Sequence, residues 1–344
     1  MFRLLTFVSL VVIFSRSEVC PDQEYVELSN GVRMPRVGVG LAGMKGTETR
    51  LSLREHLKLG FRMLDGAEST EWYDDEAAGD ELRKMKKIKR ENLFIVSKVH
   101  PTRLSFDEAY SSVLEMLERW HTSYLDLVLL HYPECGSWIP NCQDRTGGDW
   151  VGAWKALERH YTEGVLKAIG VSNFDIGQLQ QLLDFADIEP HVIQSWMDPF
   201  HQDREIYQFA VDHNIVYTAY SSFGTQWQYN WVGKNLVFES KVLQDISNEA
   251  GIPVTSVVLA WLLTKEKMTV IPRSSNKVHI QENAKFLQPT YAYSLLTEDQ
   301  LRKIEDLDGV FDAKSSEECE DIVAKHLCNQ YEDWCQASCR NLAW

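Results

Sequence analysis

A closed parallel (β/α)8 TIM barrel with an N-terminal β-hairpin is the fold this sequence predicts, and three observations predict it. An Asn-Gly pair flanked by alternating apolar residues marks a hairpin. Eight short apolar runs then alternate with segments of helical period over about 270 residues, the signature of a parallel sheet closed into a barrel. Seven of the runs end on polar or charged residues: Asp65, Lys98, His131, Ser172–Asn173, Gln194, Tyr220 and Arg273. The carboxyl ends of parallel strands are where α/β proteins bind ligands, so these ends outline a candidate site.

In chain order, residues 1–17 carry a basic start (Arg3), an apolar run from Leu4 to Phe14, and small residues at Ser15 and Ser17. That is the form of a signal peptide, too short to span a bilayer at ~20 residues. The hairpin is expected within Glu24–Val39, turning at Asn30–Gly31. Strands are expected near Val37–Leu41, Phe61–Leu64, Leu93–Ser97, Leu125–Leu130, Lys167–Val171, His191–Ile193, Ile215–Ala219 and Met268–Ile271. Helical segments fall between them, among them EAAGDELRKM, FDEAYSSVLEMLERW, WVGAWKALERHY and VTSVVLAWLLTK. Two connections, Tyr132–Asp149 and Phe223–Ser240, are long for a compact domain and are expected to cover the site. The barrel is assigned to 18–312, with 313–344 as a separate cysteine-rich extension.

Gly38–Gly43 reads G-x-G-x-x-G, with Asp65 as an acid further on, so a dinucleotide-binding doubly wound fold is an alternative. That motif should open a helix directly, and here the stretch MKGTET intervenes. The hairpin and the count of eight units also favour the barrel.

The net charge of −15 argues against nucleic acid or an anionic membrane surface as the main partner. No apolar span remains after signal removal, and a monomer is expected. Seven cysteines suit an oxidising compartment, secreted or ER lumen. Cys135 and Cys142 share one loop and are expected to pair; Cys319, Cys328, Cys335 and Cys339 crowd the tail and suit two more disulfides. No CxxC pair occurs, so no metal site is assigned.

Asp65, Lys98 and His131 with nearby Tyr73 form a coherent chemical set. Such a set can meet charge that develops on a substrate oxygen, which needs a proton donor and an electrostatic cradle. A tyrosine is a reluctant acid at neutral pH, and an adjacent ammonium is expected to lower its pKa. The plain alternative for Asp65 and Lys98 is a structural ion pair. The segments GFRMLDGAE…WYDDE, LFIVSK, LDLVLLHYP, GVSNF, AYSSFG and IPRSS…IQEN resemble the aldo-keto reductase family over nearly all of 25–310. The resemblance implies Tyr73 as general acid, Lys98 and Asp65 as its modulators, and His131 as the group that orients the substrate oxygen. The family's tyrosine usually follows the aspartate by five positions; here the interval is eight, so Glu68–Trp72 must loop out. Gly66 stands where threonine is common.

The resemblance also implies NADPH as cofactor, with NADH possible. Ser172, Asn173 and Gln194 would hold the nicotinamide carboxamide and Tyr220 would stack on the ring. Ser221 and Phe223 would lie over the pyrophosphate. Arg273 and Ser274 would meet the 2′-phosphate; His279 replaces a usual arginine, and Glu282 and Asn283 match an adenine-contacting pair. Trp138 and Trp231 are the candidate walls of the substrate pocket, with Trp196, Trp227 and Tyr229 as further aromatics. The reading is NADPH-dependent reduction of small-molecule aldehydes or ketones. The rival is a catalytically weak dinucleotide-binding barrel that serves as a binding or sensing protein.

Overall fold

The hairpin forms at the expected turn. β1 (Tyr25–Glu27) pairs antiparallel with β2 (Arg33–Pro35), and Gly31 takes φ +82°, a left-handed value that favours glycine. Its N–H donates to the Leu28 carbonyl, 2.9 Å, and Asn30 Nδ2 donates to the Lys167 carbonyl, 2.9 Å, tying the turn to the barrel. The computed structural model describes residues 23–136, 139, 142, 150–228 and 234–309. Residues 1–17, expected to be a signal peptide, Cys20, Trp138, Tyr229, Trp231, and residues 313–344 with their four cysteines, expected to be a separate extension, lie outside the described residues.

Eight parallel strands follow: β3 (Gly38–Gly40), β4 (Met63–Asp65), β5 (Phe94–Val99), β6 (Leu127–Leu130), β7 (Ile169–Ser172), β8 (Val192–Trp196), β9 (Val216–Tyr220) and β10 (Met268–Val270). Each is hydrogen-bonded to its sequence neighbours. The ring closes through a parallel bridge between Val37 and Val270, with Val270 N–H donating to the Arg36 carbonyl, 2.9 Å. Arg36 itself spans the seam: Nε reaches the Met268 carbonyl (3.1 Å) and Nη2 the Leu263 carbonyl (2.8 Å).

Around the ring run α1 (Gly46–Lys58), α2 (Asp75–Lys84), α3 (Phe106–Arg119), α4 (Trp150–Thr162), α5 (Ile176–Phe185) and α6 (Arg204–Asp212). They are followed by α7 (Leu236–Glu239), α8 (Lys241–Ala250), α9 (Val254–Leu263), α10 (Lys277–Ala284) and α11 (Glu298–Glu305). α1 begins inside MKGTET, so that stretch does not separate the glycines from a helix. What excludes the doubly wound fold is the closed sheet. The glycines answer to the seam instead: a Cβ on Gly40 would lie 2.8 Å from the Ile271 carbonyl oxygen. No single described helix is long and apolar enough to cross a membrane.

Two apolar layers hold the fold. One fills the barrel, with Met63, Phe94, Val96, Leu127, Leu129, Val192 and Val216 stacked above Leu28 and Met34 of the hairpin region, which plug its floor. The other lies between strands and helices and includes Leu64, Ile95, Val128, Ile193 and Tyr217. The alternation within each strand is the period-2 geometry of a sheet with one face inward.

Candidate active site

That alternation builds the site. Met63, Val96, Leu129 and Val192 face the barrel interior, and two positions beyond each stand Asp65, Lys98, His131 and Gln194. By strand parity they form the next layer up, at the mouth. Lys98 is 0% exposed and donates to Asp65 Oδ1 (2.6 Å) and to the Gly66 carbonyl (2.8 Å). The other Asp65 oxygen accepts from Gln194 Nε2, 2.8 Å. A buried ammonium survives only with such partners, and Lys98 has two.

Tyr73 arrives from the connection after β4. Glu68–Trp72 loops out as the eight-residue interval requires, with Trp72 and Tyr73 N–H both turned back onto the Ser69 carbonyl. Lys98 Nζ then lies over the Tyr73 ring, 4.9 Å from its centre, and the His131 ring stands edge-on at 6.0 Å. The expected lowering of the Tyr73 pKa is not what this arrangement gives. Burial of the hydroxyl, followed by the Asp65 and Asp75 carboxylates, pushes it well above the ordinary value. Asp65 offsets the charge of Lys98, so desolvation wins. Tyr73 therefore stands as a neutral phenol that still holds a proton to give. His131 is pushed the other way, well below its ordinary value, by burial and then by Lys98 and His100. It is a neutral imidazole.

Several contributors were not legible beforehand. Ser69 Oγ meets His131 Nδ1 at 3.0 Å. Lys45 Nζ donates to the Thr70 carbonyl and to the Tyr73 carbonyl (2.8 Å), and Glu71 Oε1 meets His100 Nε2 at 2.8 Å. The inserted segment is thus clamped from the α1 side and from the end of β5. Asp75, one residue inside α2, turns a buried carboxylate toward the back of β5. It accepts from Ser97 Oγ (2.9 Å), Trp120 Nε1 (2.8 Å) and Ala67 N–H (3.2 Å). Gly66 makes the room: a Cβ there would lie 2.2 Å from Asp75 Oδ1. A doubled Asp before a helix reads from sequence as capping, and Asp74 does cap α2 through Ala77 N–H.

The residues expected to face a dinucleotide lie along the mouth from β7 to α10. Asn173, in the left-handed region at φ +59°, donates to the His131 carbonyl (2.9 Å) and accepts from the Tyr220 hydroxyl (2.6 Å). Its amide therefore anchors neighbours, and Tyr220 is held as a flat platform. Ser172 is buried and contacts Asn173 Nδ2, 3.1 Å. Gln194 has its nitrogen engaged by Asp65, leaving Oε1 to accept from an amide N–H. Ser221 is also left-handed and accepts from Gln226 Nε2, 3.2 Å, while the Phe223 carbonyl accepts from Asn235. Arg273 is exposed and reaches the Gly43 carbonyl at 3.4 Å. Ser274 accepts from Asn276 N–H (3.1 Å), His279 is exposed, Glu282 pairs with Lys285 (2.7 Å), and Asn283 is buried. This set fits a flat amide-bearing heterocycle at β7–β9 and an anionic group at Arg273.

On the substrate side, Trp196 and Trp227 are not free walls. Both are buried and donate to Asp198 Oδ2 at 2.8 Å, fastening the connection after β9 to the end of β8. Cys135 and Cys142 are bonded, S–S 2.05 Å, in the loop that follows His131.

A barrel whose strand ends bring a buried lysine–aspartate pair against a tyrosine and a neutral histidine defines a class of carbonyl-handling oxidoreductase. A model of the aldo/keto reductase family matches residues 36–308, and the chain belongs to that family. The NADPH-dependent D-xylose reductase of Candida boidinii is 29% identical over 82% of this chain and 92% of that protein. The 7-acetyl-epi-neemfruitin B aldo-keto reductase of Melia azedarach is 31% identical over 81% of this chain and 87% of that protein. Among solved structures, aldose reductase from Giardia lamblia superposes with a TM-score of 0.70 at 27% identity, covering 79% of this chain and 92% of that one. A Bombyx mori aldo-keto reductase in complex with NADP gives 0.73 at 23% identity over 83% and 93%, a likeness of fold.

Proposed function

We propose that this chain reduces aldehydes or ketones to alcohols with NADPH. The observation that carries the reading is the Lys98–Asp65 pair, fully buried at the mouth and set against the Tyr73 ring with His131 beside it. When bound, the dinucleotide supplies the hydride. Tyr73, which keeps its proton in the resting site, gives it to the substrate oxygen, with Lys98 Nζ set over its ring at 4.9 Å. Asp65 holds Lys98 Nζ in place and aimed, and His131 orients the oxygen. Gln194 Oε1 and the Tyr220 face would hold the carboxamide and ring, and Arg273 the 2′-phosphate, a contact for which guanidinium is well shaped. The NADPH-dependent relatives support the same cofactor.

NADPH oxidation with a panel of aldehydes, run beside dinucleotide titration, tests this. Tyr73→Phe should bind NADPH with unchanged Kd and lose at least ~100-fold in turnover. Full activity in that variant removes Tyr73 from the chemistry, and wild-type binding without turnover across the panel removes the reaction.

The remaining features belong to the same proposal. Residues 1–17 are a signal peptide, the protein passes through the secretory pathway as a monomer, and Cys135–Cys142 is oxidised in the mature form. Residues 313–344 are a disulfide-stapled extension. The apolar start and the cysteine count support this. Mass spectrometry of the native protein should find a mature N-terminus after the apolar run and no free thiol at Cys135; an intact Met1 sinks the secretory reading.

A further inference from the structure

Ser69 enters the site on the inserted segment, 0% exposed, with its hydroxyl 3.0 Å from His131 Nδ1. Among the described residues that hydroxyl has no other hydrogen-bond partner. The His131 ring is fixed in place around this contact. Tyr132 stacks on it at 4.8 Å, and Trp72 and Tyr73 meet it edge-on at 6.0 Å. Burial keeps the imidazole neutral, so one ring nitrogen carries the proton and the other a lone pair.

The two tautomers differ sharply in what they leave unpaired. With the proton on Nδ1, the ring donates to Ser69 and the serine's own hydrogen is buried without an acceptor. With the proton on Nε2, the serine donates to Nδ1, and the hydroxyl hydrogen and the Nδ1 lone pair satisfy each other. A buried hydroxyl lacking an acceptor disfavours the first tautomer by roughly 5- to 150-fold. Nε2 lies on the far side of the ring from Ser69. A lone pair there would face the lone pairs of a carbonyl oxygen, whereas an N–H there donates to it.

We propose that Ser69 is a positioning residue that donates to His131 Nδ1, locks the Nε2–H tautomer, and so turns His131 into a hydrogen-bond donor for the substrate oxygen. The last step rests on the carbonyl-reductase reading; the tautomer does not. On this view the inserted segment adds a tautomer lock as well as lengthening the path to Tyr73.

The test is nitrogen NMR on full-length protein saturated with NADP+, labelled at histidine. His131 is assigned among the ten histidines by the signal lost in His131→Gln. A lone-pair nitrogen and a protonated one resonate far apart, so the tautomer is read directly. Wild type should show a single tautomer with a bare Nδ1. Ser69→Ala should give a mixture, with kcat reduced by about 2- to 10-fold and the Kd for NADPH unchanged. A wild-type Nδ1–H tautomer overturns the proposal, as does a Ser69→Ala protein with the wild-type nitrogen pattern. Should the alanine variant fail to fold, the wild-type spectrum decides alone. Absence of carbonyl reduction by wild type, with a bare Nδ1 in place, defeats the reductase reading and leaves the lock standing.

Discussion

Gly66 and Asp75 occupy one space between them, and each explains the other. The carboxylate could not lie where it does beside any residue with a Cβ, since that atom would also stand 2.8 Å from Trp120 Cζ2. Gly66→Ala should therefore destabilise the fold by about 1–3 kcal/mol through overpacking. Denaturant titration of that variant, of Asp75→Ala and of the double variant measures the coupling; strictly additive losses would show that the two residues do not share the site. Asp75 also carries a pH signature. Burial, against the pull of Ser97, Trp120 and Lys98, raises its pKa to about 7 in the folded chain, above the ordinary 3.8. The protonated form is the one the fold favours, so its contribution is complete below about pH 4 and is lost as pH rises through 7. The separation caps that loss at roughly 4 kcal/mol. Asp198, raised to about 6 by burial, acts in the same direction, whereas the buried His56 and His131, both lowered, act oppositely below about pH 6.5, so the Asp75 contribution is read from the difference between wild type and Asp75→Asn over pH 5 to pH 8. Asp75→Asn should lose measurably less over that interval, and identical pH slopes would assign the effect elsewhere.

Among the elements, the inserted segment is the part most dependent on its neighbours. Its backbone is clamped by an exposed lysine on one side and by the Glu71–His100 pair on the other. Lys45→Ala should leave global stability within about 1 kcal/mol, because the side chain is solvated. It should nevertheless speed amide exchange across 68–73 and lower kcat; unchanged exchange in that segment would show that the clamp is idle. The strands and helices around it were far easier to read from sequence. Parallel strands buried on both faces are short apolar runs between helical segments, and β5 and β6 stand out for that reason. Asp65, Lys98 and His131 were legible because strand parity alone brings them together. Ser69 and Asp75 were not, since their roles depend on how a loop without periodicity folds back on the sheet. The Tyr73 pKa was misjudged for a related reason. Spacing brings Lys98 near the ring but does not reveal that desolvation and the Asp65 and Asp75 carboxylates outweigh it.

Across the whole molecule, the two ends of the sheet, β3 and β10, are joined by the Val37–Val270 bridge and by Gly40 N–H to the Pro272 carbonyl (3.3 Å), and Arg36 reinforces the seam. Its guanidinium also meets Glu24 (2.8 Å) and the Tyr293 hydroxyl (2.6 Å), so one side chain fastens the hairpin, β10 and the connections flanking them. Arg36→Ala leaves several carbonyls without donors and should cost about 3 kcal/mol, a Tm lower by on the order of 5–10 °C. A shift below 1 °C would mean that the backbone contacts of the seam hold the ring without it. Electrostatics at this scale run against an anionic cofactor, given the net charge of −15, so affinity must come from local donors. Arg273→Ala should weaken NADPH by about 10-fold and NADH much less; equal losses for both would place the 2′-phosphate elsewhere.

The Arg36 clasp also sets an order in time. Its bonds to Leu263 and Met268 join residues 227 and 232 positions apart, whereas Lys98 and Asp65 are separated by 33. On a ribosome delivering the chain from its N-terminus, the Lys98–Asp65 pair is synthesised long before the clasp has its partners. Contacts of such separation carry a large loop-closure cost and belong late on the folding path. On that order the seam is expected to close last, with Arg36 as the catch that fastens the two edges of the sheet. Its loss should quicken unfolding far more than it slows folding.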